Sequence, residues 1–100
     1  MTEPRLSIRN RVSLSLHVWP EDLRSADHPG AHGSRELTRA RAAVCWAIRA
    51  RLGLSYEAIG EVVGLHHSSV RKATLRAPKL FTEEELEAFR GGPSAATVAA

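Results

Sequence analysis

The chain has 100 residues, of which 43% are hydrophobic, so it has the length of one domain with a modest core. Its single cysteine, Cys45, excludes a disulfide framework and a zinc finger, and predicts a reducing compartment, the cytoplasm. No apolar run approaches the roughly 20 residues of a membrane span, and the net charge is +3.

The positive charge is concentrated in residues 35–79. This segment holds nine Lys or Arg residues against three acids, whereas the remainder of the chain has a net charge of −3. A segment this basic is typical of a phosphate-facing surface, but also of a solvated basic face without a partner. Charge alone leaves both interpretations open.

In chain order, residues 5–19 show two competing apolar patterns. One pattern alternates as in a strand and the other recurs at helical spacing, so the residues alone leave this segment open. Pro20, followed by Glu21 and Asp22, predicts a short helical turn. Residues 25–34 contain Pro29, Gly30 and Gly33 and predict a loop. The strand-like set is Val12, Leu14, Leu16 and Val18, and the helical set is Ile8, Val12, Leu16 and Trp19.

The next three segments predict helices separated by glycines. Residues 35–52 lack Gly and Pro and carry one apolar stripe at helical spacing, which Gly53 ends. Ser55 is the predicted N-cap of a second helix, which Gly64 ends. A third helix is predicted to start near His66, to cover about residues 66–77, and to stop before Pro78. The stripe consists of Leu37, Ala40, Val44, Ala47 and Ile48.

A last short helix is predicted at residues 83–90. Thr82 and Glu85 match a capping box, and Phe81 and Leu86 stand at the positions of a hydrophobic staple. Residues 91–100 are small and aperiodic and predict a disordered tail or a linker. The predicted fold is therefore an all-α bundle of four to five helices, in one domain spanning residues 5–90.

Residues 56–73 match a helix-turn-helix. Gly64 falls where the backbone needs a positive φ, and Gly60 is small where two helices would cross. Ser68, Ser69, Arg71 and Lys72 are predicted to point outward, and the segment from 66 to 79 contains no acid. A helical hairpin without a DNA role is the alternative. The basic face and the short hydroxyl side chains favour binding of double-stranded DNA.

Motifs in this region resemble the C-terminal DNA-binding domain of the bacterial replication initiator DnaA. They are Ser-Arg-Glu-Leu-Thr-Arg-Ala-Arg from residue 34, Gly-Leu-Ser-Tyr-Glu-Ala-Ile-Gly from residue 53 and His-His-Ser-Ser-Val from residue 66. Residues 18–25, Val-Trp-Pro-Glu-Asp-Leu-Arg-Ser, are similar to the link after that domain's first helix. The resemblance covers roughly residues 8–75 and implies that the opening segment is a helix.

The resemblance also implies roles for individual residues. Arg35, with His32 as a weaker candidate, would enter the minor groove. Arg39 and Arg41 would hold phosphate or base, and Arg49 would face the DNA backbone. The family's Asp-His-Thr-Thr becomes His66, His67, Ser68 and Ser69, at the start of the helix that reads bases. The predicted DNA-binding set is Arg35, Arg39, Arg41, Arg49, Ser55, Tyr56, His66, His67, Ser68, Ser69, Arg71 and Lys72.

Departures from the family pattern predict a different target sequence. An aspartate can accept a hydrogen bond from cytosine, whereas a neutral histidine can donate or accept, and each change from Thr to Ser removes a methyl group that could contact thymine. The turn is also one residue shorter than that of the initiator. Each altered base contact shifts discrimination by about 1–3 kcal/mol, so we do not expect the initiator's own site to be preferred.

The expected function is that of a bacterial or phage-borne transcriptional regulator, such as an activator of a gene transfer agent. Candidate partners besides DNA are RNA polymerase and a further C-terminal domain. The chain lacks a Gly-rich phosphate loop, which argues against replication initiation, but an origin-binding protein remains an alternative. A second alternative is a protein-interaction adaptor anchored by Trp19, Trp46, Phe81 and Phe89.

Catalysis is not expected. The five histidines lack suitably spaced acid or cysteine partners, and His66 and His67 are predicted to point to different faces of a helix. The sequence therefore predicts no enzyme activity, metal site, cofactor or small-molecule substrate.

Overall fold

A computed structural model describes residues 3–24 and 35–91, and these residues are helical without any strand. The helices are α1 (Pro4–Ser15), α2 (Arg35–Leu52), α3 (Tyr56–Val63), α4 (His67–Leu80) and α5 (Glu83–Arg90), with a short 3₁₀ turn at Pro20–Leu23 between α1 and α2. The all-α prediction is confirmed. The predicted loop at residues 25–34 lies outside the described residues, and so does the predicted tail apart from Gly91, so the domain boundaries stay predictions.

The opening segment is a helix, as the resemblance implies. Ile8 and Val12, one helical turn apart, are buried on the same side of α1, whereas Leu14 is exposed. Leu16, next in the strand-like alternation, already lies beyond the helix, which ends before His17 with its positive φ of 62°. Helical spacing therefore describes the buried face better than alternation does.

Helix α2 lies at the centre of the molecule and contacts the other four helices. Seven of its side chains are buried, and most of them are small, which allows neighbouring helices to approach closely. Because the neighbours cover more than one side of α2, burial extends beyond the predicted stripe. The buried residues are Ala40, Ala42, Ala43, Val44, Cys45, Ala47 and Ile48.

Helix α4 continues through Pro78 to Leu80, so the predicted end before Pro78 is wrong. Proline lacks the N–H that would bond to the Thr74 carbonyl, which costs one hydrogen bond but does not prevent helical φ. The extra turn packs the half-buried Leu80 against the core, and the N–H of the buried Phe81 donates to the Ala77 carbonyl at 3.0 Å. These contacts compensate for the hydrogen bond that Pro78 cannot donate to the Thr74 carbonyl.

Replacing Pro78 by alanine is expected to stabilise the protein by about 1 kcal/mol. Pro78 is exposed, and alanine restores the donor to the Thr74 carbonyl, although the unfolded chain gains entropy and offsets part of this benefit. Urea unfolding followed by circular dichroism measures the change. A decrease in stability would contradict our account of how the helix passes this residue.

Arginine side chains hold the carboxyl ends of several helices. Except for the bond to Ala58, near the start of α3, their guanidinium groups donate to carbonyl oxygens in or next to the last helical turn, a favourable position for a cation. Arg5 and Arg9 of α1 thereby fix α3, which carries part of the candidate site. The bonds are Arg5 to Ala58 at 2.8 Å, Arg9 to Val62 at 3.0 Å, Arg11 to Ala88 and Phe89 at 3.1 and 2.6 Å, Arg39 to Leu80 at 3.2 Å and Arg51 to Gly91 at 3.2 Å.

The closing helix α5 starts with the predicted capping box. The Thr82 hydroxyl accepts from the Glu85 N–H at 3.1 Å, and the Glu85 carboxylate accepts from the Thr82 N–H at 2.8 Å. Phe81 and Leu86 are both buried, and Phe81 packs edge-to-face on Phe89 with ring centroids 4.9 Å apart. None of the described helices is long and apolar enough to cross a membrane.

Candidate nucleic-acid interface

Helices α3 and α4 are joined by a turn of three residues, 64–66. The Ser55 hydroxyl caps α3 by accepting from the Ala58 N–H at 3.1 Å, as predicted. At the other end of α3, the N–H groups of Gly64 and Leu65 both donate to the Gly60 carbonyl, at 2.8 and 3.2 Å. These bonds make a tight, well-defined turn between the two helices.

Both predicted glycine positions are sterically required. A Cβ atom on Gly60 would lie 2.3 Å from the Leu65 carbonyl oxygen and 3.5 Å from Cγ2 of Val70 in α4. Gly64 has φ +85°, and a Cβ atom there would lie 2.5 Å from Cβ of Arg24. Gly60 thus allows the close approach of α3 to α4, and Gly64 allows the reversal of the chain.

The start of α4 is organised by His66, which is its N-cap rather than its first helical residue. Nδ1 of His66 accepts from the Ser68 N–H at 3.2 Å and lies 2.9 Å from the Ser68 hydroxyl. The rings of His66 and His67 are 4.2 Å apart, so the prediction that they point to different faces is wrong. His66 has an extended backbone, and helical geometry does not separate it from its neighbour.

The outward side of α4 is basic. Its inner side buries Val70, Ala73, Thr74 and Ala77, which leaves the predicted His67, Ser68 and Ser69 exposed in the first turn. Four cations are exposed beyond them, and we call them the α4 cations: Arg71, Lys72, Arg76 and Lys79. Within the described part of the chain, none of the four forms an ion pair.

An open groove of about 200 Å³ separates the basic side of α4 from α2. Three cations reach it from two helices, together with two hydroxyl side chains and no carboxylate. Such a groove favours an anion that accepts several hydrogen bonds. We call it the α2–α4 groove, and it is lined by Thr38, Arg41, Leu65, Ser69, Lys72, Ala73 and Arg76.

Three arginines of the predicted set have structural partners instead of free guanidinium groups, and two of them also contact aromatic rings. Arg39 donates to the Leu80 carbonyl and lies over the Phe81 ring, 4.4 Å from its centroid. Arg49 donates to the Leu54 carbonyl at 2.5 Å and lies 4.8 Å from the Tyr56 ring centroid.

Arg41, the third, holds the 3₁₀ turn while it lines the α2–α4 groove. Its Nε and Nη2 atoms donate to the carbonyls of Leu23 and Arg24 at 2.7 and 2.8 Å. Partial burial lowers the pKa of Arg41, although an arginine remains charged at neutral pH. Arg41 can therefore add positive charge to the groove without leaving its structural position.

The remaining predicted residues lie at the edges of this surface. Arg35 is exposed as the first residue of α2 and has no ion-pair partner among the described residues, while His32 lies outside them. The Ser55 hydroxyl is occupied as a cap, and the half-buried Tyr56 lies beneath Arg49. The structure thus divides the predicted residues into two sets. Side chains such as Arg35, Ser69 and Lys72 are exposed, whereas Arg39, Arg49 and Ser55 bond to the backbone of neighbouring segments.

Sequence reasoning missed Arg76, Lys79 and Thr38 as site residues. Ser69, Lys72, Arg76 and Lys79 recur at intervals of three or four residues, which places them on one side of a helix. This spacing can be read from the sequence. Lys79 lies beyond the helix end predicted at Pro78, and Thr38 is recognisable only once α2 and α4 lie together.

The suggested protein-interaction anchors are mostly core residues. Phe81 and Phe89 are buried and Trp46 is half-buried, whereas Trp19 is 68% exposed. Burial raises the pKa of the Cys45 thiol to about 12, so Cys45 is a neutral core side chain and not a nucleophile at neutral pH. No group of three or more potential metal ligands occurs among the described residues.

The described residues thus form an all-helical fold in which a three-residue turn joins α3 to α4, and the outward side of α4 is basic and carries no acid. No protein-family model matches the chain, and comparison with curated proteins and with solved structures finds no match.

Proposed function

We propose that this chain is a transcriptional regulator that binds double-stranded DNA sequence-specifically, with the first half of α4 in the major groove. One observation carries the proposal: the outward side of α4 combines exposed hydroxyl side chains in its first turn with four cations that have no acidic partner among the described residues. Hydroxyls suit base edges and phosphates, and unpaired cations suit the DNA backbone.

The α4 residues divide into two roles. Ser68, Ser69 and His67 lie at the amino end of the helix, the part of a recognition helix that contacts base edges. Lys72 and Arg76 border the α2–α4 groove, where a phosphate can accept from both and from Arg41. Arg35 contacts the flanking minor groove in this arrangement, where narrow A·T-rich DNA concentrates negative potential.

The supporting residues position this surface. Arg39 holds the carboxyl end of α4, Arg41 holds the 3₁₀ turn, and Arg49 holds the connection between α2 and α3. We therefore assign Arg39 and Arg49 to the scaffold in preference to direct phosphate binding. Because His66 is occupied in capping α4, its contribution to base reading depends on its second ring nitrogen.

A regulatory role is preferred to replication initiation because the chain has no Gly-rich loop for a nucleotide phosphate. Selection of bound sites from a random duplex pool tests the proposal. A recovered consensus, together with an electrophoretic shift of random duplex at low salt, supports it. A pool that stays random after selection, or no shift at low salt, would refute it.

Replacing Ser69 by alanine tests its assigned role as a base-reading residue. The exposed hydroxyl is expected to contribute about 1–3 kcal/mol of discrimination, so affinity for the selected site should fall about 5- to 150-fold. Affinity for random duplex should change less than twofold, because the α4 cations remain. Competition binding with both duplexes measures the ratio of the affinity for the selected site to that for random duplex. Equal decreases in the two affinities would show that Ser69 does not read bases. Thr38→Ala, which removes a hydroxyl from the α2 side of the groove and not from a base-reading residue, should leave the ratio of the two affinities unchanged.

A further inference from the structure

A second basic pocket lies away from α4. It is an open cavity of about 260 Å³ between the start of α1, the end of α2 and the end of α5. Three arginines from these three helices line it, and no lining residue is acidic. We call it the three-arginine pocket: Pro4, Ser7, Ile8, Arg11, Arg51, Leu52, Arg90 and Gly91.

This pocket shares no residue with the α2–α4 groove. Arg41 and Arg51 are separated along α2 by about 15 Å, given a rise of 1.5 Å per residue. Around the helix, Arg51 also lies about 80° from Arg41 and about 140° from Thr38, the two α2 residues that line the groove. A duplex seated on α4 therefore leaves the three-arginine pocket accessible.

The arginines of the pocket retain unused donors. Each guanidinium group carries five N–H bonds. Arg51 uses Nη1 for the Gly91 carbonyl, and Arg90 uses Nη2 for the Glu87 carboxylate at 2.8 Å, while Nε of Arg90 is buried without any partner. Arg11 uses both terminal nitrogens for α5 carbonyls. Apart from the buried Nε of Arg90, most donors of Arg51 and Arg90 thus remain available to a ligand.

No carboxylate lines the pocket, so its positive charges are compensated only by carbonyls at the carboxyl end of α5 and, for Arg90, by Glu87. Partial burial lowers the pKa of Arg11, and the neighbouring charge of Arg51 lowers it further. Glu87 pairs with Arg90 from outside the lining. Bringing several guanidinium groups together in this way favours a multivalent anion over a single carboxylate, because a phosphate offers several oxygens to forked donors.

We propose that the three-arginine pocket binds a phosphate group, independently of the DNA held by α4. The volume of about 260 Å³ is several times the roughly 30 Å³ that a water molecule occupies in the liquid, so a tetrahedral oxyanion fits. The phosphate comes either from a small phosphorylated molecule or from the backbone of a second DNA segment.

Thermal unfolding in inorganic phosphate, against sodium chloride at equal ionic strength, tests the pocket. Phosphate at about ten times its Kd should raise the Tm of the full chain by about 5 °C. Arg51→Gln should weaken phosphate binding at least about tenfold and remove most of the shift, while Arg51→Lys should retain part of it. Lys72→Gln removes any contribution from phosphate bound in the α2–α4 groove, and the part of the shift that depends on Arg51 should persist in this variant.

Three results would overturn the proposal: no phosphate shift in the unmodified chain, an undiminished shift in a folded Arg51→Gln protein, or a shift that Lys72→Gln alone removes. The DNA affinity of each variant is measured in parallel, so failure of the pocket and failure of the proposed DNA binding are distinguishable. Circular dichroism verifies that each variant is folded.

Two further probes identify the source of the phosphate. A nucleoside 5′-monophosphate that reproduces the phosphate shift indicates a small phosphorylated ligand. Capture of a second labelled duplex by protein bound to an immobilised duplex, abolished in Arg51→Gln, indicates a DNA backbone. Binding of an acidic peptide to the pocket without any response to phosphate would contradict the proposal.

Discussion

Replacing Gly60 by alanine is expected to destabilise the protein by about 3 kcal/mol. A Cβ atom at this position would lie 2.3 Å from the Leu65 carbonyl oxygen, a backbone atom that cannot move without displacing the turn. That displacement also disturbs the two hydrogen bonds that the Gly60 carbonyl accepts from Gly64 and Leu65. Urea unfolding followed by circular dichroism measures the decrease in stability.

Ala50→Gly is the matched control for this substitution. Ala50 is exposed within α2, so its change to glycine measures the helix propensity alone and should cost about 1 kcal/mol. Without a steric block, Gly60→Ala would stabilise the protein by a similar amount. A stable Gly60→Ala protein would therefore contradict the close approach of α3 to α4.

The double substitution Lys72→Gln and Arg76→Gln is expected to lower affinity for a short duplex about a hundredfold at low salt, roughly tenfold for each cation that is neutralised. Both residues are exposed, line the α2–α4 groove and have no ion-pair partner among the described residues, so the fold should be unaffected. Fluorescence anisotropy with a labelled duplex measures the affinity.

Arg51→Gln with Arg90→Gln is the control of equal charge. It removes two positive charges from the three-arginine pocket, away from α4, and should change affinity for one short duplex less than threefold. Equal decreases in affinity for both double variants would mean that net charge, and not the side of α4, governs binding. That result would contradict the interface proposed for α4.

Much of the fold follows from local signals in the sequence. Ser55, Thr82 and Glu85 cap the helices that their spacing predicts, and Gly53 and Gly64 adopt the positive φ values that end α2 and α3. These signals are reliable because they involve backbone groups only a few residues apart. The predicted bounds of α2 and α5 agree with the structure for this reason.

Predictions that depend on distant contacts are less accurate. The end of α4 differs from its prediction because the packing of Leu80 and the burial of Phe81 compensate for the hydrogen bond missing at Pro78. The supporting roles of Arg39 and Arg41 are not recognisable from sequence either. Their partners, Leu80 and Leu23, are distant in sequence, and an arginine that caps a helix has the same local pattern as one that binds phosphate.

For the candidate site too, the features that follow from local pattern are predicted and those that depend on distant contacts are not. Exposure of Ser68, Ser69, Arg71 and Lys72 follows from helical periodicity, and it agrees with the structure. The α2–α4 groove needs two helices that the sequence does not place relative to each other. The three-arginine pocket needs three helices, because Arg11, Arg51 and Arg90 are spread across most of the chain.

The dependence of duplex affinity on salt tests the central proposal most directly. If the α4 cations and Arg41 hold phosphates, the logarithm of the binding constant for random duplex should fall linearly with the logarithm of salt concentration. The expected slope is about −3 to −4.5, because the five cations contact three to five phosphates at roughly −0.9 for each phosphate. A slope near zero, or no binding at low salt, would contradict DNA binding through α4.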